Sequence, residues 1–161
     1  MDTNSNSKND TGILLIGHGS RLPYNKEVIS AIAEKYAQTK PDYNIEVGFM
    51  ELAEPNIPTA FNKLKETGVN KIIVNPVFLA HGMHTKVDIP TILGLEPEVK
   101  EEPNGHHHHE HEHHHEHGHH HHHHHGEVEK VEFDGEIIYT EPIGADDKIV
   151  DIVSEKVNKY L

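Results

Sequence analysis

Thr11-Gly-Ile-Leu-Leu-Ile-Gly-His-Gly-Ser-Arg21 decides the fold. Four apolar residues, Ile13 to Ile16, run straight into a small polar turn that holds His18 between two glycines. A short continuous apolar run stopped by Gly reads as a strand buried on both faces. The glycines let the backbone turn sharply and keep the space around His18 clear of side chains. The run therefore presents an imidazole at the C-terminal end of a central strand, the edge where open α/β sheets bind ligands. A plainer role, decoration of a strand-to-helix turn, stays open from this segment alone.

Working outward, strands and helices alternate. Val28, Ile29, Ile32, Ala33 and Tyr36 recur at helical spacing, which predicts a helix from Tyr24 to about Thr39, with Pro23 before it and Pro41 after it. In Ile45 to Met50 the apolar Ile45, Val47 and Phe49 alternate with Glu46 and Gly48, as expected for a half-buried strand near a sheet edge. A second helix is expected from about Ile57 to Thr67, with Gly68 as its cap. Lys71 to Phe78 forms the third strand, whose regular pairing should end near Pro76. A short helix is expected around Val87 to Leu93, a fourth strand at Glu136 to Tyr139 and a last helix from about Asp146 to Leu161. The buried stripe of that last helix is read as Ile149, Val153, Val157 and Tyr160, with Ile152 beside it. The order βαβαβαβα predicts an α/β fold: a four-stranded parallel sheet, order 2-1-3-4, with helices on both faces.

Bulk composition narrows the function classes. The 161 residues suffice for one domain with a real core. The formal charge of −13 argues against nucleic acid and anionic membrane as partners. The absence of Cys excludes disulfides, thiolate metal sites and cysteine nucleophiles, and fits a cytoplasmic protein. Residues 1–11 read as a disordered polar leader without a signal-peptide core. No apolar run approaches the roughly 20 residues needed to span a membrane.

Each strand's C-terminal end carries polar residues. The first gives His18, Ser20 and Arg21, the second Glu51 and Glu54, the third His81 and His84, and the fourth Glu141. The topology places all of them on one edge, with His18 facing the His81/His84 loop across the switch point. Imidazoles with carboxylates nearby suit Co, Ni, Cu, Fe or Zn, and two histidines leave most coordination positions open. Either His81 or His84 could instead only cap a loop. Arg21, the chain's single arginine, could neutralise a neighbouring carboxylate or bind a substrate carboxylate, and Lys86 raises the same choice. Gly17-His-Gly19 lacks the third glycine of a dinucleotide loop.

From His106 to His125, sixteen of twenty residues are His, interrupted by Glu110, Glu112, Glu116 and Gly118. That composition predicts a solvated loop, at about residues 100–130, inserted in a single domain of residues 12–161. Its internal position and interspersed glutamates argue against a purification tag. Redundant imidazoles suit a pH-dependent reservoir for divalent metal.

Gly17-His-Gly-Ser-Arg21, Glu54-Pro55, Pro76-Val-Phe-Leu-Ala-His-Gly-Met-His84, Asp88-Ile-Pro90 and Glu141-Pro-Ile-Gly-Ala-Asp146 together resemble the small, archaeal-type sirohydrochlorin chelatases. These are the short cobaltochelatases of the cobalamin pathway, which in methanogens also serve as nickel chelatases for coenzyme F430. The resemblance covers about residues 12–95 and 136–161. Some members carry an internal His-rich loop, as here. It implies a flavodoxin-like chelatase fold, a homodimer of half-sized subunits, sirohydrochlorin as substrate, Co2+ or Ni2+ as the inserted metal and no permanently bound cofactor. By resemblance, His18 matches the metal-binding and proton-accepting histidine and His84 the second metal ligand. Glu54 matches a catalytic and substrate-contacting position, and Leu79, Ala80, His81, Gly82, Met83 and His84 match the substrate-contacting segment. His81 ranks below His84 as a ligand. Two other readings stay in view: a His-rich nickel or cobalt storage or delivery protein, and ferrochelation to sirohaem.

Overall fold

The computed structural model describes residues 10–97 and 129–161. The expected insertion at about 100–130 lies outside the described residues save for Glu129 and Lys130. Of the expected leader, residues 1–11, residues 1–9 lie outside them, whereas Thr11 is buried as the first residue of the first strand, so the expected leader extends too far. The elements are β1 (Thr11–Gly17), α1 (Tyr24–Thr39), β2 (Asn44–Phe49), α2 (Ile57–Lys65), β3 (Lys71–Pro76), a single π-helical turn (His84–Asp88) continuing into α3 (Ile89–Ile92), β4 (Glu136–Tyr139) and α4 (Asp147–Asn158). The four strands form one parallel sheet in the order β2-β1-β3-β4.

β1 is buried along its whole length, as its unbroken apolar run requires. Strand alternation sends Leu14 and Ile16 to one face and Ile13 and Leu15 to the other. On the first face they meet Ile72 and Val74 of β3, with Ile57, Ala60, Phe61 and Leu64 of α2 and Ile89 and Ile92 of α3 laid over them. This is the larger core. On the second face Ile13 and Leu15 pack with Ala33 and Tyr36 of α1, next to Ile45 and Val47 of β2. β3 ends at Pro76, which has no N–H to donate onward.

Capping chemistry sets two helix starts. The Asn56 side chain accepts from Thr59 N at 2.9 Å to open α2, and the Asp146 side chain accepts from Lys148 N at 2.8 Å to open α4. The third helix begins earlier than the sequence pattern suggests. Its first turn is widened, with Ile89 N donating to His84 O, and it starts at His84 rather than Val87.

The last helix corrects the sequence reading more substantially. None of its residues is buried, and Val150, Ile152, Val153, Val157 and Tyr160 are exposed. The amphipathic pattern is real, but α4 makes no extensive contact with any other helix or strand among the described residues. Among the described residues, the second face of the sheet is therefore covered by α1 alone.

Candidate metal centre

The site forms where β1, β2 and β3 end side by side. The parallel register pairs Gly17 with Phe49 and Ile16 with Pro76, so the three exit loops leave from one edge. Two backbone bonds extend the β1–β2 pairing beyond the strands: Met50 N to Gly17 O at 2.9 Å and Glu51 N to His18 O at 3.2 Å. They bring Glu51 alongside His18. Gly19 makes this approach possible. Its φ is +85°, and a Cβ there would lie 1.7 Å from the Glu51 carbonyl oxygen. Asn25, at the start of α1, accepts from Gly19 N at 2.9 Å and holds the turn.

Hydrogen bonding sets the tautomer of both key histidines. His18 Nδ1 lies 2.9 Å from Gly19 O, and a carbonyl can only accept. Nδ1 therefore carries the proton, and Nε2 presents its lone pair. His84 Nδ1 lies 2.8 Å from Asp88 Oδ2, one helical turn on, and by the same logic donates to that carboxylate. A ligating imidazole whose other nitrogen is anchored to a carboxylate or carbonyl is the usual arrangement at metal sites. The two rings meet edge to face with centroids 4.9 Å apart, and the Phe78 ring lies 5.8 Å from His18. Glu51 Oε1 is 3.8 Å from His18 Nε2. One ligand atom from each of His18, Glu51 and His84 falls within 4.8 Å of the other two. Three donors so placed could hold a divalent cation while leaving further coordination positions open. His18 and Glu51 are each about half exposed, so the site is reached from solvent. It opens onto a groove of about 610 Å³ walled by Met50, Val87, Asp88, Thr91 and Ile92.

His81 has a different environment. Its Nδ1 pairs with Thr85 Oγ1 at 3.0 Å and its Nε2 with the Glu141 carboxylate. Both ring nitrogens are engaged, so His81 ties the β3 exit loop to the β4 exit loop. Thr85 is buried; its hydroxyl accepts from Gly82 N at 2.8 Å, and its carbonyl accepts from the Tyr139 hydroxyl at 2.8 Å. These bonds hold the π-helical turn that carries His84.

Glu54 does not join the histidines. It is exposed and lines a separate depression with Lys26, Pro55, Asn56 and Thr59. Leu79, Ala80, Gly82 and Met83 are exposed on the rim, and Leu79 and Ala80 face the start of α4. Glu51 is the carboxylate beside His18. The usable signal was distance from the strand end: His18 directly follows β1, and Glu51 lies two residues beyond β2. Asp88, Thr85 and Tyr139 become legible only with the turn in place.

A flavodoxin-like sheet with an open, solvent-reached cluster of three side chains able to ligate a cation at its switch point is the arrangement of a metal-handling protein of the α/β class. The chain belongs to the CbiX family, whose model matches residues 12–160. It is 55% identical over 161 residues to the sirohydrochlorin cobaltochelatase of Methanothermobacter thermautotrophicus, covering all of both chains. To the sirohydrochlorin cobaltochelatase of Methanocaldococcus jannaschii it is 56% identical over 144 residues, 89% of this chain and 95% of that one. Among solved structures, a cobalamin (vitamin B12) biosynthesis CbiX protein of Marinobacter aquaeolei superposes with a TM-score of 0.59 at 26% identity, covering 92% of this chain and 98% of that one. The sirohydrochlorin chelatase SirB of Bacillus subtilis, in complex with cobalt, gives a TM-score of 0.63 at 24% identity and shares the fold. This chain covers 51% of SirB and 94% of itself is matched. Among the described residues, no helix is long and apolar enough to cross a membrane.

Proposed function

We propose that this chain is a chelatase that inserts a divalent metal into sirohydrochlorin, with Co2+ as the metal and Ni2+ as the second candidate. The observation that carries the reading is the pair of imidazoles, both with Nε2 bare, beside the Glu51 carboxylate. Relatives at 55% and 56% identity named sirohydrochlorin cobaltochelatase support the substrate and the metal.

The reaction exchanges M2+ for two pyrrole N–H protons, so the site must release a cation and accept protons. His18 Nε2, His84 Nε2 and a Glu51 oxygen hold the incoming metal in this reading. Ring nitrogens then replace them one at a time. Each imidazole that lets go of the metal regains a lone pair within reach of a pyrrole proton. Holding and accepting are thus successive duties of the same nitrogen. Anchored Nδ1–H groups keep Nε2 as the acting atom throughout. Leu79 to His84 would contact the macrocycle from the rim. Glu54, remote from the pair in its own depression, is a poorer proton acceptor than Glu51 in this scheme.

We take residues 12–161 as one chelatase domain with the His-rich tract as an insertion, and a homodimer as the working unit. The match to half of SirB supports the dimer, since two copies restore the longer chain's length. A cytoplasmic location accords with the Cys-free composition. The metal-storage reading rests on His106–His125, and that tract fits a reservoir feeding the site.

The test mixes purified protein with sirohydrochlorin and Co2+, Ni2+ or Fe2+ and follows the ring absorbance against a no-enzyme control. Glu51→Gln should lower the Co2+ rate at least tenfold, whereas Glu54→Gln should keep most of it. No acceleration over the control with any metal would refute the chelatase reading.

A further inference from the structure

None of the three donors at the metal centre comes from β4 or its exit loop, yet that loop reaches the turn that carries His84. The route starts in the sheet. Thr140 N donates to Val74 O at 2.9 Å, which carries the β3–β4 pairing one residue past Tyr139. Asn75 of β3 donates from Nδ2 to Thr140 Oγ1 at 2.7 Å and to the Glu141 carbonyl at 3.2 Å. The Glu141 backbone is thereby held to the sheet, although its side chain is 79% exposed. That side chain is the carboxylate that meets His81 Nε2.

Each proton along the route has one place. A carboxylate accepts, so His81 Nε2 is the donor, and in the neutral ring Nδ1 is then bare. Thr85 Oγ1, 3.0 Å away, gives its proton to that Nδ1. The same oxygen accepts from Gly82 N at 2.8 Å. The Thr85 hydroxyl has a rival acceptor in Gly82 O at 3.1 Å, and its one proton can point only one way. Glu141 makes the choice by fixing the His81 tautomer. Donation then runs in one direction, from Gly82 N–H through Thr85 to His81 and on to Glu141. Hydrogen bonds chained in this way polarise and strengthen one another. Tyr139, also from β4, adds a second hold through its hydroxyl on the Thr85 carbonyl.

Thr85 directly follows His84 in the π-helical turn. Successive residues of a helix point about 100° apart. Fixing the buried Thr85 therefore also fixes the direction of His84, whose ring meets that of His18. We infer that His81 and Glu141 are positioning residues: the β4 exit loop aims His84 Nε2 at the metal through His81 and Thr85. Both nitrogens of His81 are engaged within the chain, so this side chain has no polar atom left for metal or substrate. An exposed His–Glu pair adds little to stability. Its effect comes from its place in the chain of bonds, because metal and catalytic sites need their groups held to within about 0.5 Å. The inference rests on the chelatase reading for its effect on rate, and on the three-donor site alone for its effect on metal binding.

The test compares Glu141→Ala with Glu141→Gln, which keeps an acceptor for His81 Nε2. The substituted side chain is exposed, so the fold should survive both changes. In full-length chains, kcat and KM for sirohydrochlorin are measured with Co2+. Glu141→Ala should lower kcat about tenfold, the lower end of the range for such partners, with KM and melting temperature unchanged, and Glu141→Gln should restore most of it. In chains lacking residues 106–125, where His18, His81 and His84 are the only histidines, Co2+ affinity should fall about tenfold in Glu141→Ala. Nitrogen-15 NMR of the same truncated chain should show His81 as the Nε2–H tautomer and His18 and His84 as Nδ1–H. Unchanged kcat and Co2+ affinity in Glu141→Ala would overturn the inference. So would a raised KM at unchanged kcat, the mark of a substrate contact, or a His81 found as the Nδ1–H tautomer. A full-length parent chain that does not chelate, with the affinity and tautomer results as expected, would remove the chelatase reading and leave the positioning role standing.

Discussion

At the scale of residues, the site depends on which nitrogen of each imidazole is bare. Gly19 O and Asp88 Oδ2 decide this, and neither needs to touch the metal. Asp88 is the testable one. Partners of this kind typically change metal affinity by about 10–100-fold when removed. In a chain lacking residues 106–125, Asp88→Ala should weaken Co2+ binding by that factor in titration calorimetry, with little change in melting temperature, since the Asp88 side chain is about two-fifths exposed. Unchanged affinity would mean that the His84 tautomer is set by something else. Much of this scale was legible beforehand. His18 and His84 follow from a strand end and a motif, and the rings do face each other. The carboxylate was the harder choice. Glu51 and Glu54 share one irregular loop in which Leu52 takes a left-handed φ of 59°, and no periodicity says which side chain turns toward the histidines. His81 illustrates the same limit: its two partners come from Thr85 and from Glu141, far along the chain.

Among the elements, the turn after β1 does the positioning, because it must let β2's exit loop come within bonding distance. Gly19→Ala forces a Cβ against the Glu51 carbonyl and an L-residue into a φ of +85°. Left-handed backbone alone costs about 1–2 kcal/mol, and the clash adds displacement of Glu51. Gly68 has the same φ with nothing near its absent Cβ, so Gly68→Ala carries the conformational cost only. Differential scanning calorimetry should show both variants melting several degrees lower. Calorimetric titration with Co2+, in chains lacking residues 106–125, should show binding lost only in Gly19→Ala. Equal retention of binding would contradict the role assigned to the turn. β1 was readable because a strand buried on both faces leaves an unbroken apolar run, β2 because its apolar residues alternate, and β4 was placed at Glu136–Tyr139 from its short apolar run although none of its residues is buried. The π-helical turn was not, since it depends on Thr85 bonding Gly82 and on Tyr139 reaching across from β4.

Over the whole molecule, the sequence pattern of α4 announces a face that wants burial without saying whose surface will bury it. That is why its stripe was read as core and stands exposed in the single chain. The His-rich tract belongs to this scale as well. Sixteen redundant imidazoles specify no single geometry, so they cannot substitute for three placed donors. In the proposed function, the site that performs the exchange is thus distinct from the tract that supplies metal. The most direct measurement is the rate of Co2+ insertion into sirohydrochlorin at saturating metal, by ring absorbance, for three proteins: His18→Ala, His84→Ala and a chain lacking residues 106–125. The two substitutions should each lower the rate by about 10²-fold or more, the range for loss of a placed proton acceptor, while the deletion keeps most of it. Loss of activity in the deletion with the two substitutions fully active would contradict the account and make the tract the functional part.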